Sequence, residues 1–272
     1  MYHSFQNMFT SLFTTRKVAQ QPVNKVDKSK NRPNDKTKKV VATPKSEKQK
    51  KGLKLSSDLS GSRFRWLNDL LYSQKGSSSL EAFSKDPSLF EQYHAGFAAQ
   101  AQQWPTNPVD ECLVWLRKNE RIKKIGDFGC GEAAIATALL SEGRAVHSFD
   151  LVDGGNTNIT PCNISKVPIK DSYLDAAVFN LSLMGVDWPS FIVEARRCLR
   201  KGGLLYISEV VSRMPDPELF AKGLDNAGFD VIRHRPSEGN FFHTFVARKS
   251  DQSGEPSLMD SSLLGKCHYK KR

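Results

Sequence analysis

Between Lys124 and Arg248 short apolar runs alternate with segments of helical periodicity, and this alternation constrains the possible folds more than any other feature of the chain. Lys124–Phe128, Ala145–Phe149, Leu174–Phe179 and Leu204–Glu209 read as strands, and Ala133–Glu142 and Trp188–Leu199 as helices between them. Strands separated by helical crossovers enter the sheet from the same end, so they are parallel and both sheet faces are covered. Gly202-Gly203 reads as a helix-to-strand turn. The pattern then changes. A helix at Asp216–Ala227, closed by Gly228, leads into Asp230–His234, and only a short connection separates this strand from Phe241–Arg248. So short a connection leaves no room for a crossover, and the last strand is expected to run antiparallel to its neighbour. Ahead of the sheet, Arg63–Tyr72, Leu89–Gln103 and Val109–Lys118 read as helices. A break at Gly76–Ser79 follows the first, and Trp104-Pro105 ends the second.

Charge divides the chain differently. From Arg16 to Lys54 there are 14 Lys and Arg against 3 Asp and Glu, a surplus equal to the whole formal net charge of +11. Residues 55–265 carry 22 basic against 26 acidic side chains, and Lys266, Lys270, Lys271 and Arg272 make the end basic again. The resulting division is a disordered basic tail over residues 1–61, a helical extension over 62–108, a catalytic domain over 109–249, and a linker with a basic terminus over 250–272. The tail is too poor in apolar residues to offset its chain entropy. Lys and Arg outside a near-neutral body favour a polyanionic partner, since each phosphate they neutralise releases counterions; a solubility tail and a nuclear-import signal have the same composition. Near the start, Phe5, Met8, Phe9, Leu12 and Phe13 recur at helical spacing in an acid-free stretch followed by Arg16-Lys17. This is the pattern of an organellar transit peptide or of a short partner-binding helix. Cys112, Cys130, Cys162, Cys198 and Cys267 are scattered without a C-x-x-C pair, so neither a metal site nor a disulfide framework is expected. No apolar run approaches the ~20 residues that span a bilayer, and no membrane partner is expected.

The segment Asp127-Phe128-Gly129-Cys130-Gly131-Glu132-Ala133-Ala134 lies at a strand end and opens a helix. Gly129 permits the tight turn, and Gly131 lets a ligand approach the backbone. Asp150 ends the next strand about 20 residues on, where a carboxylate can accept from two ribose hydroxyls. Both features also suit a nicotinamide or flavin enzyme. The readings separate further along, at Cys162-Asn163-Ile164, at Phe179-Asn180-Leu181-Ser182-Leu183-Met184-Gly185, and at Leu199 to Glu209 with its Arg200-Lys201-Gly202-Gly203 turn. These resemble the adenine-contacting turn, the substrate-facing strand end and the turn into strand five of S-adenosyl-L-methionine-dependent methyltransferases.

Over residues 63–272 the chain resembles one family closely, the nucleolar ribosomal-RNA-processing adenine methyltransferases (the nucleomethylin family). The resemblance rests on Tyr93-His94-Ala95-Gly96-Phe97, Trp104-Pro105, Asp127 to Gly131, Phe149-Asp150-Leu151, Leu181-Ser182-Leu183-Met184-Gly185 and Cys267-His268-Tyr269-Lys270-Lys271-Arg272. It implies a Rossmann-like class I methyltransferase: a mostly parallel seven-stranded sheet ending in an antiparallel hairpin, with an N-terminal helical extension. It also implies S-adenosyl-L-methionine as cofactor, N1 of an adenine in large-subunit ribosomal RNA or a pre-ribosome as substrate, and a nuclear, nucleolar location; some members act in rDNA-silencing chromatin complexes. Cofactor contacts carry over to His94, Gly129, Asp150, Asn163, Ile164 and Asn180, with His94 reaching over the methionine end. Three of these depart from the family pattern. Asn163-Ile164 stands where the family usually has Asp-Met, so the charge of the adenine acceptor is lost. Asn180 stands in place of Cys.

Adenine N1 has an in-plane lone pair in the neutral base, so no general base is required and no catalytic acid or base is assigned. An adenine must be unpaired to expose N1, and aromatic side chains can then stack on it. Phe241, Phe242 and His243, or Trp188, are candidates for that platform, and each also suits core packing. Two other functions remain open: a cofactor-binding scaffold without turnover in a silencing complex, and a small-molecule methyltransferase for which the basic ends are incidental. The charge division yields a direct expectation. Deleting residues 1–54 lowers RNA affinity and flattens its log–log salt dependence while cofactor affinity stays unchanged; an unaltered salt slope in filter binding makes the tail a targeting device only.

Overall fold

The computed structural model describes residues 61–251 and 257–267. Most of the basic tail, the apolar repeat before it and residues 268–272 lie outside the described residues. A helix over residues 61–73 (α1) is followed by α2 (Gly76–Lys85), α3 (Ser88–Ala101) and α4 (Pro108–Lys118). Then come β1 (Lys124–Phe128), α5 (Ala134–Leu139), β2 (Ala145–Asp150), β3 (Ile159–Pro161), β4 (Leu174–Asn180), α6 (Trp188–Cys198), β5 (Leu199–Val210), α7 (Pro217–Asn226), β6 (Phe229–Pro236) and β7 (Phe242–Lys249). The strands form one sheet in the order β3-β2-β1-β4-β5-β7-β6. All pairings from β3 to β5 are parallel, and β7 is antiparallel to both β5 and β6. This is the Rossmann-like class I methyltransferase arrangement that the alternation and the short final connection imply.

Paired residues share a face, so the register shows what each face buries. Ile125, Ala176, Val178, Tyr206 and Val246 point to the side where Leu113 and Leu116 of α4 and Ile135 and Leu139 of α5 close over them. Phe179, Leu205, Ile207 and Phe245 point the other way, against Trp188, Phe191 and Ile192 of α6 and Phe220 of α7. A third cluster joins α1, α2 and α3 through Phe64, Leu67, Leu71, Phe83, Leu89, Phe90 and Tyr93. Leu151 and Val152, after β2, and Met184, after β4, pack on it, so this helical cap sits at the carboxyl ends of the strands.

Four local readings are corrected. Gly76–Ser79 is not a break but the first turn of α2: the Gly76 amide donates to Asp187 Oδ1 (2.9 Å), and the break is confined to Gln74 and Lys75. Gly202-Gly203 is not a turn ahead of a strand but a bulge within β5, whose Leu199 already pairs with Leu174 before the register shifts. The helix after the glycine loop is shorter than Ala133–Glu142, because Ala133 is left-handed (φ 59) and stands outside it. The strand that no apolar run marked, β3, has three residues including Pro161, too few for a periodicity to register. Where caps are present the boundaries agree. Asn107 and Asp216 accept from Val109 N (2.9 Å) and Leu219 N (2.9 Å), starting α4 and α7.

One ion pair joins the cap to the sheet. Glu209, near the end of β5, and Arg213 are 0% and 1% exposed, with Arg213 Nη1 2.6 Å from Glu209 Oε2. Arg213 Nη2 donates to the Leu183 carbonyl (2.7 Å) and Nε to the Gly265 carbonyl (2.8 Å), while its guanidinium lies 4.5 Å from the Tyr72 ring centre. Glu209 Oε1 accepts from Leu183 N (3.1 Å). Asn68 Nδ2 adds a bond to the Cys267 carbonyl (2.8 Å), and Met259 and Leu264 are buried in the sheet core, so residues 257–267 strap α1 to the sheet. Arg213→Met leaves Glu209 buried without its partner and is expected to cost about 3–5 kcal/mol, while Glu209→Leu with Arg213→Met recovers much of it. Urea unfolding measures both; a single variant as stable as the wild type removes the pair from the stability of this fold.

Candidate active site

The loop between β1 and α5 depends on two left-handed glycines, Gly129 (φ 77) and Gly131 (φ 57). A Cβ on Gly129 would lie 2.4 Å from Ser182 Cβ, and one on Gly131 3.2 Å from His94 Cε1. Gly129 and Cys130 both donate to the Phe149 carbonyl (2.8 and 2.9 Å), which folds the loop onto the end of β2. There Asp150 faces it: Oδ2 accepts from Gly131 N (2.7 Å) and Oδ1 from Leu151 N (2.7 Å). Two backbone donors leave lone pairs on both oxygens for a ligand. Burial raises the Asp150 carboxyl to about 6 against the opposing pull of those donors.

Asp127 is a site residue the sequence reading passed over, although it opens the glycine segment. It is 3% exposed. Burial, and next the neighbouring Asp150, raise it to about 7. Two carboxyls thus stand at the carboxyl ends of β1 and β2, both less acidic than usual.

α3 brings His94 to the same place, over Gly131. Its ring is held by Phe90 (4.1 Å between centres), Tyr93 (5.4 Å, edge-on) and Phe97 (6.4 Å). Burial pulls the imidazole down to about 4, so it is neutral near pH 7. The Tyr93-His94-Ala95-Gly96-Phe97 string acquires a physical meaning here. Tyr93 Oη lies 3.4 Å from Met184 Sδ, and a Cβ on Gly96 would come within 2.5 Å of the Phe64 ring, so only glycine lets α1 close on α3. Leu181-Ser182-Leu183-Met184-Gly185 does the complementary work. Ser182 Oγ donates to the Phe128 carbonyl, Leu183 backbone groups hold the ion pair, and Gly185 (φ 97) turns against the Gln74 carbonyl.

Cys162 N donates to the Asp150 carbonyl (2.8 Å), which brings the 162–164 turn beside Asp150. Asn163 Oδ1 accepts from Ser165 N (3.0 Å) and packs against Gly76 of α2. Ile164 is buried among the sheet core with Phe149 and Val167. Asn180, at the end of β4, has both amide atoms shielded from solvent; the Cys112 thiol of α4 faces it, and neither amide atom makes a well-formed hydrogen bond among the described residues. Of the stacking candidates, Trp188 lies in the core, stacked on Phe220 at 5.9 Å, and Phe242 is fully buried. His243 bonds to His234 (3.1 Å) and shares the Phe245 side of β7, away from α4. These three are structural, because their alternation along α6 and β7 turns them inward; only Phe241 stays partly exposed.

A family model described as "Hypothetical methyltransferase" matches residues 50–272. The chain belongs to that methyltransferase family. It is 40% identical over 249 residues to ribosomal RNA-processing protein 8 of Dictyostelium discoideum, covering 85% of this chain and 63% of that one. It is 40% identical over 230 residues to the 25S rRNA (adenine(645)-N(1))-methyltransferase of Schizosaccharomyces pombe, covering 80% and 71%. The chain therefore spans under two thirds of the first relative's length and somewhat more of the second's. Among solved structures, a 1,6-didemethyltoxoflavin-N1-methyltransferase from Burkholderia thailandensis has a TM-score of 0.47 at 18% identity, over 62% of this chain and 90% of that one.

Proposed function

We propose that this chain is an S-adenosyl-L-methionine-dependent methyltransferase acting on N1 of an adenine in large-subunit ribosomal RNA, and so works in the nucleolus. The observation that carries the reading is the 40% identity to a named rRNA adenine-N1 methyltransferase, over a stretch that includes the whole glycine-loop site. The residues present fit the cofactor. Asp150 keeps lone pairs for two ribose hydroxyls, Gly129 and Gly131 keep the loop free of Cβ atoms, and the 162–164 turn lies where an adenine would follow the ribose.

When bound, S-adenosyl-L-methionine supplies a methyl group on a positively charged sulfur. The protein has to hold the acceptor nitrogen in line behind that methyl and keep water out, and orientation of this kind supplies much of the rate. Neutral adenine brings its own lone pair at N1, so attack does not depend on a base, although Asp127, raised to about 7, stands beside the loop. Burial keeps His94 uncharged, which avoids a second cation next to the sulfur; its role is cofactor placement. Asp150, ionised above about pH 6, and Asp127, ionised above about 7, supply negative charge there, complementary to a cationic cofactor and a cationic methylated base.

The pH dependence follows from Asp150. Its carboxyl, raised to about 6, must be ionised to accept from both hydroxyls, so below that pH a proton has to leave before binding. Calorimetry is expected to show the cofactor Kd rising as pH falls through about 6. Asp150→Asn flattens that rise, and Asp150→Ala weakens binding by on the order of 1.5–3 kcal/mol near neutral pH. An unchanged Kd in folded Asp150→Ala removes the ribose assignment. The substrate is tested by nucleoside mass spectrometry of large-subunit rRNA with and without the gene. Loss of one N1-methyladenosine is expected. Cofactor binding with no methylated product instead favours the scaffold reading and its chromatin partners.

A further inference from the structure

Near the carboxyl end of β4, polar side chains lie in a row that the protein satisfies only weakly among the described residues: the Cys112 thiol of α4 faces Asn180, and the Tyr206 hydroxyl faces Thr244. Asn180 pairs with Ser208 of β5, and Ser208 with Thr244 of β7, so the three share one face of the sheet, the face covered by α4. The Asn180 amide atoms, Ser208 Oγ and Thr244 Oγ1 are shielded from solvent and make no well-formed hydrogen bond among the described residues; Ser208 and Thr244 are 1% and 3% exposed. Thr106 Oγ1, in the connection between α3 and α4, is in the same condition. Such groups have given up hydration for little in return, and a weak thiol partner leaves most of the bonding capacity of the Asn180 amide unused, which singles out a place where a bound molecule completes the bonding.

Aromatic rings meet the surface at the same corner. Trp104 packs edge-on to Phe242 (5.3 Å, 80°), and Phe242 lies two residues from Thr244 along β7 on the same face, so the Trp104–Thr106 connection borders the row. Trp104 also touches Phe97 (5.3 Å) and Phe241 (6.2 Å, 41°), and Phe97 adjoins His94 over Gly131. A continuous aromatic line therefore runs from the glycine loop to the row. Trp104 and Phe241 are partly exposed along it. Asn180 is only partly buried as a residue although its two amide atoms are shielded, so contact with a ligand requires the amide to turn outward from the row.

An extruded nucleobase needs a π face and partners for its edge, and this corner offers both. We propose that Trp104 and Phe241 stack the target adenine and that Asn180, backed by Ser208 and Thr244, binds its edge. The proposal rests on the RNA-adenine reading above. With N1 turned to the methyl donor, the base still presents the N6 amino donor and the N7 acceptor. A carboxamide matches that pair, Oδ1 accepting from N6 and Nδ2 donating to N7. The Cys that the family resemblance leads one to expect at this position could not make both bonds.

The test uses the full chain and an RNA fragment carrying the adenine mapped as above. If the wild type makes no N1-methyladenosine on it, the functional reading fails and this inference falls with it; the remaining outcomes concern the inference alone. Trp104→Leu and Phe241→Leu are expected to lower kcat/KM for RNA roughly 10- to 100-fold with the cofactor Kd unchanged, and Trp104→Phe to recover part of the loss. With 2-aminopurine at the target position, both Leu variants should lose the fluorescence quenching that stacking produces. If Trp104→Leu fails to fold, Phe241→Leu, at a partly exposed position, gives the same reading. Replacing the target by 7-deazaadenosine removes N7 and should cost the wild type roughly 5-fold or more, but cost Asn180→Ala nothing further. Unchanged RNA kinetics and quenching in the Leu variants overturn the stacking face. A 7-deaza penalty in Asn180→Ala as large as in the wild type overturns the edge contact.

Discussion

The salt bridge between Glu209 and Arg213 is the contact on which the arrangement of the site depends. A charged pair this deeply buried is tolerable only if every remaining donor and acceptor is met, and here the partners are the loop after β4, the Tyr72 ring of α1 and the Gly265 carbonyl. Satisfying the pair thus fixes three segments distant in sequence. The loop after β4 carries Ser182 against Gly129, and the cap carries His94 over Gly131. The electrostatic requirements of one buried arginine thereby set the position of the glycine loop's two nearest neighbours.

Burial also sets the chemistry. Removing Asp127 and Asp150 from water makes both carboxyls less acidic, and removing His94 from water makes its imidazole less basic. The outcome is a site with two carboxyls that ionise only near neutral pH on the strand side and a neutral ring on the cap side. That distribution suits a cation held between them once the carboxyls are ionised, and Asp127 is the group able to exchange a proton near neutral pH.

Most of the fold was legible because its signals are local. Apolar runs gave six of the seven strands, the Asp216 cap and Gly228 bounded α7, and the short link before Phe241 gave the antiparallel end. The errors arose where a long-range contact overrode a local cue. Gly76 reads as a breaker until Asp187 is seen to hold its amide, and Gly202-Gly203 as a turn until Leu199 is seen to pair with Leu174. Trp188 and Phe242 look like platform residues only while the face they point to is unknown.

The site divides the same way. By itself the sequence determined the glycine loop, Asp150 and the parallel sheet beneath them, since strand, turn and helix over a few residues are set by backbone sterics and periodicity. It also carried the His94 and Leu181–Gly185 strings, with no physical reason attached to them. Only the tertiary structure decided that His94 covers Gly131, that Asp127 belongs with Asp150, and that Asn180, Ser208 and Thr244 form one shielded, weakly partnered row beside Trp104. Each of these relations is a matter of strand register or helix packing across scores of residues, and burial, which sets both the pKa shifts and the unmet hydrogen bonds, exists only once those elements have come together.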